Sequence, residues 1–198
     1  MNLPNRLTIA RLVLVPVFVA LMSVDNTAAL LLAYIVFVAA SITDYLDGRI
    51  ARSRNLVTSF GKLMDPLADK ILMAAAFIMC MAIAELRIPA WTLVAVFARE
   101  FLVTGARSLA ASDGTVIAAN WWGKMKTIFQ ITYVCTFLLL YVAGRYLMDR
   151  SFAWADACMG YVGLASRWAI ILVALYTAGS GVQFAVANWK SLRLGAES

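Results

Sequence analysis

Six long apolar stretches limit what this chain can fold into. Each is close to the roughly 20 residues that a helix needs to cross the hydrocarbon core of a bilayer. They lie near residues 7–24, 28–46, 66–84, 89–108, 126–144 and 165–187. With 63% hydrophobic residues, the 198-residue chain is too apolar for a soluble domain. The pattern predicts an all-α polytopic membrane protein with six transmembrane helices, one domain over residues 1–198 and a short N-terminal interfacial segment.

The positions of lysine and arginine predict the orientation of these spans. If the N-terminus is cytoplasmic, twelve of the 17 basic residues fall in inner segments: Arg6, Arg11, Arg49, Arg52, Arg54, Lys62, Lys70, Arg107, Lys124, Lys126, Lys190 and Arg193. The outer segments hold only Arg87, Arg145, Arg150 and Arg167. This asymmetry predicts that both termini are cytoplasmic. The net charge of +6 then indicates loops that face anionic membrane lipids, and no nucleic-acid partner is expected.

Four of the eleven acidic residues are concentrated where one apolar segment ends and the next begins. Asp44 and Asp47 are three apart, and Asp65 and Asp69 are four apart, so each pair shares one face of a helix. Carboxylates beside a membrane are costly unless something binds them. Two neighbouring helices would bring the four carboxylates together, and oxygen ligands of this kind suit Mg²⁺, Mn²⁺ or Ca²⁺.

The residues around these carboxylates indicate phosphate chemistry. Gly48 and Gly61 allow a phosphate or a ribose to approach the backbone, and Arg52 can hold phosphate oxygens with its planar guanidinium. The chain has no histidine, so a general base must be a carboxylate, a lysine or a tyrosine. The pattern predicts a diphosphate-binding, phosphoryl-transfer site rather than a solvated, salt-bridged helix end.

A second group of charges lies further along the chain. Arg99 and Arg107 fall on one side of a predicted helix, and the following loop adds Lys124 and Lys126. Arg99 could instead pair with Glu100 for packing, but adjacent residues on a helix do not face each other, which favours an anion site. At the N-terminus, Asn5 and Thr8 are either polar contacts of a lid over a nucleotide or part of a membrane anchor.

The acidic stretch matches the signature D-x-x-D-G-x-x-A-R-x₈-G-x-x-x-D-x-x-x-D at every fixed position: Asp44, Asp47, Gly48, Ala51, Arg52, Gly61, Asp65 and Asp69. On this signature the chain resembles the CDP-alcohol phosphatidyltransferase family, whose members move a phosphatidyl group from CDP-diacylglycerol to an alcohol and release CMP. The resemblance implies a homodimer with two divalent cations, Mg²⁺ or Mn²⁺, in each active site.

The resemblance also implies roles for individual residues. Asp44, Asp47, Asp65 and Asp69 would hold the metals, and Asp69 is the candidate base. The expected contacts to CDP-diacylglycerol are Asn5, Thr8, Asp47, Gly48, Ala51, Arg52 and Gly61.

The segments around Arg99 and Arg107, from Ala119 to Thr127, and at the N-terminus resemble bacterial members of the family that use sn-glycerol 3-phosphate. This resemblance implies a bacterial inner-membrane protein whose acceptor phosphate is bound by Arg99, Arg107, Lys124 and Lys126. A phosphorylated acceptor needs such a cationic pocket, whereas a neutral alcohol does not. The alternatives are the same chemistry with another acceptor, as in cardiolipin or phosphatidylinositol-phosphate synthesis, or a small cation transporter.

Overall fold

The computed structural model describes residues 3–53, 59–112, 114, 117 and 121–189, without the side chains of 3–7, 44–53, 59–63, 65 and 66. The regular elements of this part are all helical, which confirms the predicted all-α class. The six α-helices are α1 (Leu3–Met22), α2 (Thr27–Ser53), α3 (Ser59–Ala82), α4 (Ala90–Ser112), α5 (Trp121–Asp149) and α6 (Ala155–Ala187). A short 3₁₀-helix, Ala84–Leu86, joins α3 to α4.

Each helix extends beyond its predicted apolar stretch at one end or both. Helix α2 continues to Ser53, and α3 begins at Ser59, so both halves of the acidic signature lie on helices. Helix α1 runs without a break from Leu3 through Pro16 to Met22, so the N-terminal segment is helical from Leu3 onward. Its interfacial position stays a prediction.

Two helices in the described part of the chain, α5 and α6, are long and apolar enough to cross a membrane by length and composition. The mean hydropathy of their most apolar windows is 1.7 and 1.8. Two shorter apolar helical stretches, Thr8–Met22 and Thr27–Thr43, lie on α1 and α2.

The core is built from aromatic and aliphatic side chains of all six helices. Helix α1 packs on α2 and α3, while α6 packs on both α4 and α5. The rings of Phe77 on α3 and Tyr133 on α5 stack at a centroid distance of 6.1 Å. Tyr133 also shares a hydrogen bond of 2.7 Å with Ser166 of α6. These two buried hydroxyl groups thus satisfy each other between helices, as expected where no water reaches them.

The approach of α6 to the 3₁₀-helix depends on Gly163. A Cβ atom added there would overlap the carbonyl oxygen of Glu85, so any larger residue would push this turn away.

The second half of α2, the start of α3, the end of α4 and the start of α5 come together around one cavity. Five of the predicted site residues line this cavity.

Candidate functional site

A cavity of about 780 Å³ lies between α2, α3, α4 and α5. Ser41 contributes from α2, and Asp69 and Lys70 contribute from the first half of α3. The remaining polar side chains come from α4 and α5: Arg99, Glu100, Thr104, Arg107, Ser108, Lys124, Lys126 and Thr127. The cavity is therefore bounded by the two helices that carry the acidic signature and by the two that carry the predicted cations.

The charges that line this cavity are mostly positive. Asp69 and Glu100 are its carboxylates, and its cations are Lys70, Arg99, Arg107, Lys124 and Lys126. A concave surface with this excess of cations attracts anions, and guanidinium and ammonium groups form charge-assisted hydrogen bonds to phosphate oxygens. The lining therefore suits a ligand that carries phosphate.

Helix α6 supports both arginines of the cavity from behind. A Cβ atom at Gly181 would lie 2.9 Å from Cγ of Arg99, so the arginine stem rests directly on the α6 backbone. The guanidinium carbon of Arg107 lies 5.2 Å from the ring centroid of Phe184, a cation–π contact. Gly181 and Phe184 are three residues apart and share one face of α6. Contacts with this face of α6 fix the positions of the Arg99 and Arg107 side chains.

Several polar atoms of the cavity wall have no hydrogen-bond partner among the described residues. They are the hydroxyl oxygen of Ser41 and the Nε atoms of Arg99 and Arg107, and all three are buried. Leaving a buried donor without a partner costs about 1–3 kcal/mol. The wall thus contains N–H and O–H groups that an oxygen-rich ligand could satisfy.

The lysines of the cavity are held by groups on other helices. Lys70 of α3 donates a hydrogen bond to the Thr104 hydroxyl of α4, and Lys126 of α5 donates to the Glu100 carboxylate. Arg99 Nη1 lies 3.7 Å from the same Glu100 oxygen. The sequence argument against an Arg99–Glu100 pair is therefore wrong in part. The pair exists at a long distance, while the nearer partner of Glu100 is Lys126.

Five predicted site residues line this one cavity: Asp69, Arg99, Arg107, Lys124 and Lys126. Their shared location agrees with helical spacing, but their roles in binding and catalysis stay predictions. Thr8 is almost fully buried on α1, at 1% exposure. The other predicted side chains lie outside the described residues, and their roles also stay predictions: Asn5, Asp44, Asp47, Gly48, Ala51, Arg52, Gly61 and Asp65.

The predicted metal ligands are the four aspartates of α2 and α3. Among the described side chains, no three Asp, Glu, His or Cys groups come together. Asp69 is the one predicted ligand whose side chain is described.

Sequence reasoning missed several residues of the site. Lys70, Thr104 and Ser41 line the cavity, but the sequence pattern marks none of them as a binding residue. The position of Lys70 directly after Asp69 was an available signal. Arg11, three residues after Thr8 on α1, is buried at 1% exposure but is not among the residues that line the cavity.

The fold and the cavity define an apolar, all-α protein whose cavity is lined mainly by cations. Within that class, the chain belongs to the CDP-alcohol phosphatidyltransferase family, whose sequence model matches residues 1–175. It is therefore a transferase enzyme.

Similar bacterial proteins support this assignment. The chain is 38% identical to a CDP-diacylglycerol–glycerol-3-phosphate 3-phosphatidyltransferase of Bacillus subtilis, over 97% of both chains. It is 44% identical to the protein of the same name from Rickettsia typhi, over 66% of this chain and 72% of that one. A probable phosphatidylglycerophosphate synthase of Mycobacterium tuberculosis is 40% identical over 70% of this chain and 66% of its own.

Proposed function

We propose that the enzyme transfers the phosphatidyl group of CDP-diacylglycerol to sn-glycerol 3-phosphate, which yields phosphatidylglycerophosphate and CMP. The names of the similar proteins from B. subtilis and R. typhi support this reaction. The observation that carries the choice of acceptor is the single cavity that joins Asp69 to Arg99, Arg107, Lys124 and Lys126.

The charge of the acceptor explains why so many cations are present. The phosphate of glycerol 3-phosphate carries nearly two negative charges near neutral pH. Arg107 and Lys124 have no carboxylate partner among the described residues, so their charges are available to such a phosphate. A neutral acceptor such as inositol or serine would leave the half-buried Arg107 without a counter-ion, which is costly where a charge is partly removed from water.

We assign the donor to the α2 and α3 side of the cavity. Asp44 follows Ser41 by three residues on α2, and Ser41 lines the cavity, as does Asp69 on α3. Carboxylate oxygens fit Mg²⁺ or Mn²⁺, so Asp44, Asp47, Asp65 and Asp69 would hold two such ions. Bound ions would neutralise the donor diphosphate. The proposed donor contacts are those of the signature, Asp47, Gly48, Ala51, Arg52 and Gly61, with Asn5 and Thr8 from α1.

Asp69 is proposed as the base because it lines the same cavity as the cations that would hold the acceptor. Its carboxylate accepts the proton of the 1-hydroxyl group of glycerol 3-phosphate. The hydroxyl oxygen forms a bond to the phosphorus atom that carries the diacylglycerol. The bond from that phosphorus to the bridging oxygen breaks, and CMP leaves with the electron pair.

We further propose that the six helices lie in the inner membrane of a bacterium, with the cavity and both termini on the cytoplasmic side. Large apolar side chains are exposed on the outer faces of α4 and α6, including Leu102, Leu172 and Val186. An apolar surface of this extent is stable against lipid and not against water. The acyl chains of the donor would stay in the bilayer. The homodimer implied by the family resemblance belongs to this proposal as well.

An acceptor screen tests the proposed reaction. The purified enzyme is supplied with CDP-diacylglycerol, Mg²⁺ or Mn²⁺ and one acceptor at a time, and both CMP and the lipid product are measured. We expect rapid CMP release only with sn-glycerol 3-phosphate, together with phosphatidylglycerophosphate. Faster turnover with phosphatidylglycerol or inositol phosphate would assign the enzyme to another acceptor.

The contact between Gly181 and Arg99 predicts an effect on acceptor binding. A Gly181→Ala substitution is expected to raise the KM for glycerol 3-phosphate by about three- to tenfold, because the new Cβ displaces the Arg99 stem. Gly179→Ala is the matched control, since a Cβ there meets nothing within 4 Å. Steady-state kinetics at saturating donor measure both variants. Equal effects of the two substitutions would show that the Gly181 contact does not position Arg99.

A further inference from the structure

We propose that Glu100 is the positioning residue of the acceptor pocket, holding Lys126 and Arg99 in place through one carboxylate oxygen. This inference rests on the proposed function and extends it to a residue outside the predicted binding set.

Glu100 lies where two cavities meet. Beside the polar cavity, a smaller one of about 280 Å³ lies between α3, α4 and α5, with a wall formed by apolar residues such as Met73, Phe77 and Phe97. Both cavities share the same five residues: Asp69, Lys70, Glu100, Lys126 and Thr127. The Glu100–Lys126 ion pair therefore lies between the smaller, apolar cavity and the polar cavity assigned to the acceptor.

The contacts of Glu100 join two helices that are otherwise held apart. Its Oε1 atom accepts a hydrogen bond from Lys126 of α5 and lies 3.7 Å from Arg99 Nη1 of α4. Helices α4 and α5 both pack mainly on α6, and the two cavities lie between them. An ion pair across this gap fixes the position of the Lys126 ammonium relative to α4.

The Glu100 carboxylate matters for the position of Lys126 and Arg99 because all three side chains are largely buried. The exposed fraction is 16% for the Glu100 side chain, 11% for Lys126 and 8% for Arg99. Two cations so poorly hydrated repel each other unless a negative charge lies between them. Without the carboxylate, the flexible lysine would turn toward water, and the phosphate site would lose its fixed geometry. Arg107 and Lys124, which do not pair with Glu100, remain to bind the incoming phosphate directly.

The test is the substitution Glu100→Gln, which keeps the shape of the side chain and removes its charge. The KM for glycerol 3-phosphate is expected to rise about tenfold, while kcat and the KM for CDP-diacylglycerol change less than about threefold. Glu100→Asp keeps the charge and should recover part of the loss. Asp156→Asn, at an exposed acid in the first turn of α6, is the control and should leave all three constants unchanged.

A double-mutant cycle separates positioning from simple packing. If Glu100 acts through Lys126, Glu100→Gln should raise the acceptor KM little further in a Lys126→Met background. Additive effects of the two substitutions would contradict the proposal. Should Glu100→Gln fail to fold, the same cycle is run with Glu100→Asp, whose effect should also be much smaller in the Lys126→Met background than in the wild-type background.

The acceptor screen with the wild-type enzyme tests the proposed reaction separately from the role of Glu100. An enzyme that does not turn over glycerol 3-phosphate contradicts the proposed function. An enzyme that does so, with an unchanged acceptor KM in a folded Glu100→Gln variant, contradicts only the role of Glu100. A thermal shift produced by glycerol 3-phosphate without donor gives a second measure of binding, and Glu100→Gln should weaken that shift.

Discussion

Replacing Asp69 with asparagine is expected to lower kcat for CMP release by about a thousandfold or more, with the fold retained. The amide has nearly the same shape as the carboxylate, but it neither accepts a proton at neutral pH nor carries charge for a divalent cation. Asp69 is the signature carboxylate whose side chain is described, and it lines the same cavity as the cations. The substitution therefore removes both of the functions proposed for this residue.

Two measurements check this result. CMP release with saturating donor and acceptor reports activity, and thermal unfolding in detergent reports the fold. Asp156→Asn makes the same chemical change at an exposed position and should retain full activity. Wild-type activity in Asp69→Asn would end the proposed role of this carboxylate.

Replacing Arg107 with alanine is expected to raise the KM for glycerol 3-phosphate by about a hundredfold, while the KM for CDP-diacylglycerol changes less than about threefold. A hydrogen bond to a charged group contributes about 1.5–3 kcal/mol, and the upper part of that range corresponds to a change in affinity of about a hundredfold. The Arg107 guanidinium lies against the Phe184 ring, and its buried Nε atom has no hydrogen-bond partner among the described residues. It is thus held in place with a donor still available.

Arg150 offers a matched control for this substitution. Its guanidinium carbon lies 5.0 Å from the ring centroid of Tyr146, so it too makes a cation–π contact, but it is exposed and lies outside the cavity. Arg150→Ala should leave both KM values unchanged. A larger rise in the donor KM than in the acceptor KM for Arg107→Ala would place the acceptor pocket elsewhere.

Helical spacing accounts for much of what could be predicted. Arg99 and Arg107 are eight residues apart, and a regular helix brings such positions back to one side. Because that rule depends only on the backbone of α4, the prediction that both face one cavity needed no knowledge of neighbouring helices. The apolar stretches predicted the six helices by their length, although several helix ends, such as Ser53 of α2 and Ser59 of α3, lie outside those stretches. A helix continues as long as its backbone hydrogen bonds do, whether or not its side chains are apolar.

The partners of the charged side chains could not be predicted in this way. Lys126 lies 26 residues from Glu100, and Lys70 lies 34 residues from Thr104. The contacts of Gly181 and Phe184 with the arginines of α4 span still longer separations. Each depends on how one helix is rotated against another, which many packing contacts decide together. The spacing rule for adjacent residues failed at Glu100, because it considered α4 alone.

The order of amino acids was enough to establish the helical class, the family signature and the set of cations on α4 and α5, since periodicity and composition act within a single segment. Only the folded bundle decided that Glu100 meets Lys126, that α6 supports both arginines and that Lys70 belongs to the site. These contacts arise where helices distant in the chain pack together, and their geometry follows from the shape of the whole core.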